Sequence, residues 1–313
     1  MGAKIYQNKK YIAFFLIPAF VFMLIFLYYP FIQNIINSFQ HIKYMGTAAD
    51  KWNAPFYKNY LEIFKDPKML IALKNTGIMI IATIVGEVGL AIVLSLLVSN
   101  IKKGAGFFRV VYFFPIVISA TALGLLFNLV FLYDKGMINQ LLQLIGVLDA
   151  GKNELIDWKA THPMFTMLVP VIWQYVGFYF IILLTGLSGI PEDLYEAAEI
   201  DGASKLQQVR YVTLPLLRNS ICTCVVLAVT GALKVFDLPW TMFVNGMSNT
   251  WLTGTYMYSK VYVDVDYSSA IAVVIVIIGV VLSVVLITVV LVIINVIPII
   301  RQRREKRHEE EKF

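Results

Sequence analysis

Residues 270–300 read AIAVVIVIIGVVLSVVLITVVLVIINVIPII, which is 31 residues without a single charged side chain. A helix of this length would measure roughly 46 Å at about 1.5 Å per residue, whereas the hydrocarbon core of a bilayer is roughly 30 Å thick. The run therefore predicts a transmembrane helix that tilts or projects beyond the lipid.

Five further apolar blocks precede this run and indicate that most of the chain lies in a membrane. The 313 residues are 59% hydrophobic and 15% charged, against about 25% charged residues in a typical soluble domain. We predict an all-α integral membrane protein in which residues 11–300 form one six-helix transmembrane bundle, without a soluble domain large enough for catalysis. The predicted helices cover about 11–32, 76–98, 108–132, 164–187, 221–244 and 270–300.

The placement of the basic residues predicts the topology. The net charge is +6, but the basic residues lie mainly in the gaps between apolar blocks, so no nucleic-acid partner is expected. With both termini in the cytoplasm, every arginine and 15 of the 26 lysines and arginines fall on the inner side, as membrane topology favours. We therefore predict a cytoplasmic N-terminus at 1–10, an uncleaved first helix and a charged cytoplasmic tail at 301–313.

Two features superficially resemble reactive sites. Residues 146–153 nearly match a phosphate-binding loop, but Asn153 stands where the pattern requires serine or threonine for magnesium. Cys222 and Cys224 are two residues apart in an apolar block, so on a helix they point in different directions and are interpreted as apolar fillers. We expect no catalytic residue, metal site or cofactor on this chain.

The predicted inner segment 188–218 carries a more specific pattern. Pro191 suits the first turn of a short helix, Gly202 can end it, and Ser204 with Gln207 forms a capping box that starts a second helix. Pro215 then breaks the second helix before the fifth membrane block. The first helix carries five acidic residues and no basic one, so an anionic membrane surface would repel it and a protein partner is the better explanation.

This segment resembles a known loop. The sequence Glu196-Ala197-Ala198, then Gly202, then Val212-Thr213-Leu214-Pro215 resembles the EAA loop of binding-protein-dependent ABC importer permeases in both spacing and position. Val212 departs from the isoleucine common there. Four more patterns are similar to the first-type permease of carbohydrate importers, the maltose and glycerol-phosphate transporter group: residues 112–119, residues 136–139, Trp173 with Gly177-Phe178, and residues 233–237. Residues 245–248 depart from the Gly-Gly-Pro turn that relatives commonly carry.

The resemblance implies a type I importer permease fold with a cytoplasmic coupling helix that docks on an ATPase subunit. It implies a second homologous permease, two ATPase subunits that bind ATP and magnesium, an extracytoplasmic solute-binding protein, a carbohydrate substrate, and the plasma membrane of a prokaryote. The residues expected to couple to the ATPase are Glu196, Ala197, Ala198, Asp201, Gly202, Leu214 and Pro215.

Polar groups inside the apolar blocks are candidates for a substrate site, because a charge in the bilayer must face the bundle interior or a wet cavity. Aromatic faces, amides and hydroxyls suit a sugar, but an aromatic stripe is also compatible with packing. Lys234 and Asp237, three residues apart, are expected on one helix face, where they either neutralise each other or line a cavity. Glu87, between Gly86 and Gly89, suits close helix packing or proton coupling. The substrate-binding candidates are Ser119, Trp173, Gln174, Tyr175, Gly177, Phe178, Lys234, Phe236 and Asp237.

Two rival functions remain open at this point. An ion-coupled carrier would need repeated halves and a coupled ionisable site, and the sequence shows no convincing internal repeat. A membrane assembly factor without transport activity explains the loop at 188–218 no better. An ABC importer permease for carbohydrates is therefore the function that the sequence favours.

Overall fold

The structure is a computed structural model that describes residues 9–101, 103–149 and 154–310. The near-match to a phosphate-binding loop at 151–153 and most of the N-terminus predicted at 1–10 lie outside these residues. The regular secondary structure of the described residues is helical apart from two short strands. The helices are α1 (Lys9–Met23), α2 (Tyr29–Asn37), α3 (Lys58–Ile63), α4 (Pro67–Thr83), α5 (Leu90–Ser99), α6 (Ala105–Val117), α7 (Ala120–Val130), α8 (Met137–Leu144), α9 (Trp158–Thr161), α10 (Pro163–Ser188), α11 (Asp193–Ile200), α12 (Lys205–Gln208), α13 (Leu214–Leu216), α14 (Arg218–Lys234), α15 (Asp237–Met242), α16 (Thr253–Lys260) and α17 (Val265–Glu310).

Within the described residues, five helical segments are long and apolar enough to cross a membrane, and a bent pair of helices makes a sixth if it is one span. The prediction of an all-α membrane bundle is confirmed. Two of the five contain a π-helical segment, at Leu24–Tyr28 between α1 and α2 and at Ile84–Gly89 between α4 and α5. The five are Tyr11–Asn37, Pro67–Ser99, Pro163–Ser188, Arg218–Met242 and Val265–Val289.

Several predicted boundaries were wrong. The first span continues to Asn37, and the second begins at Pro67 rather than near residue 76, where Asp66 accepts a hydrogen bond from the Lys68 N–H and so starts the helix. The last helix, α17, has 46 residues, about 69 Å at 1.5 Å per residue. It therefore exceeds the predicted 270–300 at both ends and carries residues 301–310 of the charged tail as continuous helix.

Two spans are broken where continuous helices were expected. The predicted helix 108–132 is the pair α6 and α7, which meet at a 95° bend, with Ile118 and Ser119 in extended conformation. The predicted helix 221–244 ends as α14 at Lys234 and restarts as α15 at Asp237. Pro239 accounts for the second break, because its ring would collide with the carbonyl group of Val235 if the helix were continuous.

The chain divides into two compact units. The first contains residues 1–70 and 257–276. Its short antiparallel strands, β1 (Gln40–His41) and β2 (Lys51–Trp52), pair Gln40 with Trp52 and His41 with Lys51. The N–H groups of Val265 and Asp266 both donate to the carbonyl oxygen of Ile42, which fastens the start of α17 to the loop after β1.

The second unit contains residues 71–256 and 277–313, and α10 is its central helix. This helix contacts α5, α6, α7, α14 and α15. Its buried side chains include Phe180 and Leu183, which pack with Ala91 of α5 and with Cys224 and Ala228 of α14. Gly177 lies so close to the backbone carbonyl of Tyr112 that a side chain there would collide with it. The close approach of α10 and α6 therefore requires a glycine.

Candidate functional site

The loop after α10 forms the compact helix–turn–helix that the sequence predicts. Gly202 has φ +78° at the turn, a conformation that favours glycine. Both hydrogen bonds of the predicted capping box are present between Ser204 and Gln207. The Tyr195 and Thr213 hydroxyls lie 3.1 Å apart, and the buried Thr213 also donates to the Gln208 carbonyl. These bonds fix α11 against the segment that follows α12.

Both prolines of this loop differ from their predicted roles. Glu192 is the N-cap residue of α11, which begins at Asp193, so Pro191 precedes the helix. Pro215 lies in the first turn of α13, directly after a π-helical segment at Val209–Thr213, and the helical path continues beyond the proline into α14. A proline ring collides with the carbonyl group four residues earlier, here that of Tyr211, and a local distortion of the helix relieves this collision.

The outward face of this loop combines acidic and large apolar side chains. Ile200 is 87% exposed and Leu206 is 79% exposed, which is unusual for side chains of this kind in a solvated connector. A groove beside α12 is lined by Leu206, Val209, Arg210, Tyr211 and Leu214. We call the exposed face the coupling surface, and it comprises Leu194, Glu196, Ala197, Ile200, Gly202 and Leu206.

Of the predicted coupling residues, Glu196, Ala197, Asp201 and Gly202 are exposed at or beside this surface. The other three are half-buried, so they contribute more to packing within the loop than to its exposed face: Ala198, Leu214 and Pro215. Lys205 forms an exposed ion pair with Glu199 at 3.9 Å, which is worth little by itself.

The two helix breaks lie along the second candidate site, in the membrane part of the second unit. At the first break, the side-chain amide of the buried Gln174 on α10 donates to the carbonyl of Ile118 at 3.2 Å. Gln174, a predicted site residue, thus provides a hydrogen-bond partner for the backbone next to Ser119, which was also predicted. Ser119 itself is exposed at the start of α7. Trp173 is 42% exposed, and its ring meets that of Phe127 edge-on at 5.8 Å.

At the second break, Phe236 stacks on Trp240 with ring centroids 5.4 Å apart. Asp237 is exposed and lies near the half-buried Tyr175 of α10. The expectation that Lys234 and Asp237 share one helix face was wrong, because α14 ends at Lys234 and α15 begins at Asp237. Within the described residues no ion pair joins them.

The remaining candidates pack against their neighbours. Gly177 is buried against Tyr112, as described above. Phe178 is half-buried and meets the ring of Tyr179 edge-on at 5.4 Å. Glu87 is 2% exposed, lies in the π-helical segment Ile84–Gly89, and hydrogen-bonds with the phenol of Tyr179. At Gly86 a side chain would meet Ile172 at 2.7 Å, so the predicted close helix packing is present.

Sequence reasoning missed a polar cluster beside the bent helix. Asn139 is 1% exposed, accepts from the indole N–H of Trp158 at 2.9 Å and donates to two carbonyl groups. Lys159 donates to Asn128 at 2.8 Å and lies over the ring of Phe243. Burial lowers the pKa of Lys159, and nearby Asp157 partly offsets this. The only signal in the sequence was the pattern at 136–139, which does not name the distant partners.

Comparison with known proteins identifies a family of membrane transport components. Residues 87–298 match the family described as the inner membrane component of binding-protein-dependent transport systems. The chain belongs to this family.

Individual relatives cover most of the permease. The probable ABC transporter permease protein YurN of Bacillus subtilis is 33% identical over 86% of this chain and 92% of its own. The arabinooligosaccharides transport system permease AraP of Halalkalibacterium halodurans is 31% identical over 87% of this chain and 85% of its own. A solved bacterial ABC transporter for the import of alginate superposes with a TM-score of 0.72 at 20% identity, over 94% of this chain and 98% of that one. At this identity the superposition supports the fold.

The resemblance drawn from the loop at 188–218 is thus confirmed at the level of the family. The protein is a multi-pass membrane permease of a binding-protein-dependent ABC importer, with the fold of that class. Among the described residues, no group of three or more His, Cys, Asp or Glu side chains is arranged to hold a metal ion.

Proposed function

We propose that this permease imports a carbohydrate that an extracytoplasmic binding protein delivers. Its relatives include permeases named for the transport of arabinooligosaccharides, of lactose in Rhizobium radiobacter and of multiple sugars in Streptococcus mutans. Exposed Ser119, Trp173 and Asp237 and half-buried Tyr175, beside the two helix breaks, supply the hydroxyl, aromatic and acceptor groups that a sugar requires.

The observation that carries the proposal is the coupling surface. It presents large apolar side chains next to acidic ones on a rigid helix pair. When a partner covers the exposed Ile200 or Leu206, the complex is stabilised by about 25 cal/mol per Å² of apolar area buried. We assign this partner as one of two ATPase subunits, which bind ATP and magnesium, with a second homologous permease completing the complex. ATP-driven closure of the ATPase would move α11.

This assignment fixes the proposed topology, because the ATPase subunits and their ATP are cytoplasmic. With six spans, both termini then lie in the cytoplasm, and the membrane is the plasma membrane of a prokaryote. The loops that contain α3, α8 and α9 face the outside.

Nothing in the geometry favours the rival of an ion-coupled carrier. Such a carrier needs an ionisable group that exchanges with water. Glu87 is instead buried and hydrogen-bonded to Tyr179, and the neighbouring Gly86 lies close to Ile172. Both contacts fit a packing role.

The decisive experiment reconstitutes the permease with the proposed second permease, ATPase and binding protein. We expect uptake of radiolabelled sugar into proteoliposomes to require ATP and the binding protein, and to be insensitive to proton and sodium ionophores. Uptake that persists without ATP and collapses with an ionophore would establish the carrier instead. In intact cells, an impermeant maleimide should label Glu154→Cys and not Asp193→Cys, and the reverse pattern would overturn the topology.

A further inference from the structure

The first unit contains a cavity that the proposed function does not use. Its volume is about 430 Å³, and it lies between α2, the loop around β1 and the first turns of α17. This volume is within the range of roughly 300–1,000 Å³ that small-molecule sites occupy. The proposed topology puts it on the extracytoplasmic side, where the binding protein releases its sugar.

The lining of this cavity is polar and uncharged. Four amides and three hydroxyls contribute to it, from Gln33, Asn34, Asn37, Gln40, Thr47, Ser268 and Ser269, and the rest of the lining is small or aliphatic. Amides and hydroxyls both donate and accept hydrogen bonds, which matches the alternating donors and acceptors of a neutral polyhydroxylated molecule.

Part of this lining already has partners in the protein. The Asn34 amide donates to the Ser269 carbonyl at 3.4 Å, and the Gln33 amide donates to the Asn37 side-chain oxygen at 3.0 Å. The Ser268 hydroxyl donates to the carbonyl of Met257 at 3.0 Å. These bonds hold the wall of the cavity in place.

The Thr47 hydroxyl donates to the carbonyl of Tyr44 at 2.7 Å, which leaves three polar groups of the lining unoccupied in the described part of the chain. Within the described residues, the Gln40 amide, the Asn37 amide N–H₂ and the Ser269 hydroxyl have no hydrogen-bond partner. Ser269 is only 4% exposed, and a polar group at such a position normally finds a partner. The three groups lie on α2, β1 and α17, so they converge on the cavity from different elements.

We propose that this cavity is an outer subsite that holds one or two neutral sugar units of the substrate on its way into the permease. The inference rests on the proposed function, since it takes the imported sugar as the ligand. A loop of the binding protein is the competing occupant. The lining argues against it, because protein interfaces depend on tryptophan, tyrosine and arginine anchors, and none of these lines the cavity. Without an aromatic platform the subsite binds weakly, as a transit position should.

The test compares Asn37→Leu and Gln40→Leu with the matched control Gln140→Leu, an exposed glutamine on α8 outside the cavity. In the reconstituted complex we expect uptake to fall about threefold or more in each cavity variant, as the loss of one hydrogen bond to substrate predicts. Docking of the binding protein and the ATP hydrolysis that it stimulates should stay unchanged. Gln140→Leu should transport normally.

A second measurement tests occupancy directly. The rate at which an impermeant maleimide modifies Thr47→Cys, at the edge of the cavity, should fall with tens of millimolar lactose, arabinotriose or diacetylchitobiose present, and should not change with sodium gluconate. The proposal is overturned if the cavity variants transport like the wild type, if no sugar slows the labelling, or if the variants weaken docking of the binding protein. A wild-type complex that imports no sugar would refute the proposed function itself, which is a different result.

Discussion

Two parts of the molecule have irregular backbone: the loop that carries α11, and the pair of helix breaks in the membrane. Only the loop was predicted from the sequence. The loop is built from local signals: a glycine at positive φ, a capping box and an acidic first turn, all within residues 192–208. The break at 118–119 is stabilised by a distant group, Gln174, which is 56 residues from Ile118. Irregular backbone in water is specified locally, whereas inside a membrane it needs partners elsewhere in the fold.

The largest effect should follow a change at the loop. A side chain at Gly202 meets nothing within 4 Å in this chain, and aspartate tolerates positive φ. Gly202→Asp should therefore leave the permease folded while it adds bulk and charge to the coupling surface. We expect uptake and sugar-stimulated ATP hydrolysis to fall together by about 30-fold or more, since such damage within an interface costs ~2 kcal/mol or more.

The matched control is Gly146→Asp, because Gly146 also has a positive φ of +76° and open space around it but lies in the loop after α8. It should transport normally. If Gly202→Asp assembles and transports at the full rate, the loop is only a connector. If the variant protein fails to insert, the loop is not specified independently of the membrane helices, and the comparison with the helix breaks is wrong.

The second effect tests whether packing in the membrane unit depends on one close approach. Gly177→Ala places a methyl group against the carbonyl of Tyr112, so α6 and α10 must separate. We expect a loss of about 1–3 kcal/mol in folding stability, as overpacking typically costs, visible as a lower melting temperature of the purified permease. Gly231→Ala in α14, where the nearest atom is 3.9 Å away, should melt like the wild type, and equal melting of the two variants would contradict the role of Gly177.

The third prediction concerns the exposed aromatic beside the first break. Trp173→Ala should lower uptake about tenfold, or ~1.4 kcal/mol, if its face contacts the sugar. Docking of the binding protein and assembly should not change. Phe114→Ala, which removes a more exposed aromatic side chain on α6 (59% against 42% for Trp173), is the control. Equal uptake by wild type and Trp173→Ala would remove Trp173 from the site.

The smallest effect is a pH dependence confined to the first unit. Burial, and then the neighbouring Asp266, raise the pKa of Asp264, and the positive charge of Lys260 opposes this. A carboxyl with a raised folded pKa stabilises the fold below its unfolded pKa of about 3.9, and this stability is lost as the pH rises through the folded value. Asp264→Asn should therefore gain stability relative to the wild type as the pH rises through this window.

This difference is measured by thermal melting of the purified permease from mildly acidic to neutral pH. The variant is compared with the wild type at each pH, because both contain His41, which lies 3.7 Å from Asp266. Asp134→Asn, at an exposed position outside the first unit, serves as the control variant. A constant offset between Asp264→Asn and wild type at all pH values would contradict the assignment.

Particular residues show how far the sequence reaches. Hydrophobic runs predicted the spans because lipid leaves few alternatives for an apolar block, but they missed the start at Pro67, where the capping Asp66 and Lys68 look like loop residues. Gln174 and Gly177, predicted as sugar contacts, both contribute to the contact between α10 and α6 in the structure. An amide or a glycine in a membrane helix serves packing and binding equally well on sequence grounds, so only its neighbours distinguish the two.

The close contact at Gly177 has a mechanical consequence. Together with the bond from Gln174 to Ile118 it fastens α6 to α10 at two points one helical turn apart. α10 is 26 residues long, a rod of about 39 Å, and α11 begins five residues after its end. A displacement of α11 by a partner would therefore move α10 together with α6. The bend at 118–119 would then be the point at which the angle between α6 and α7 changes.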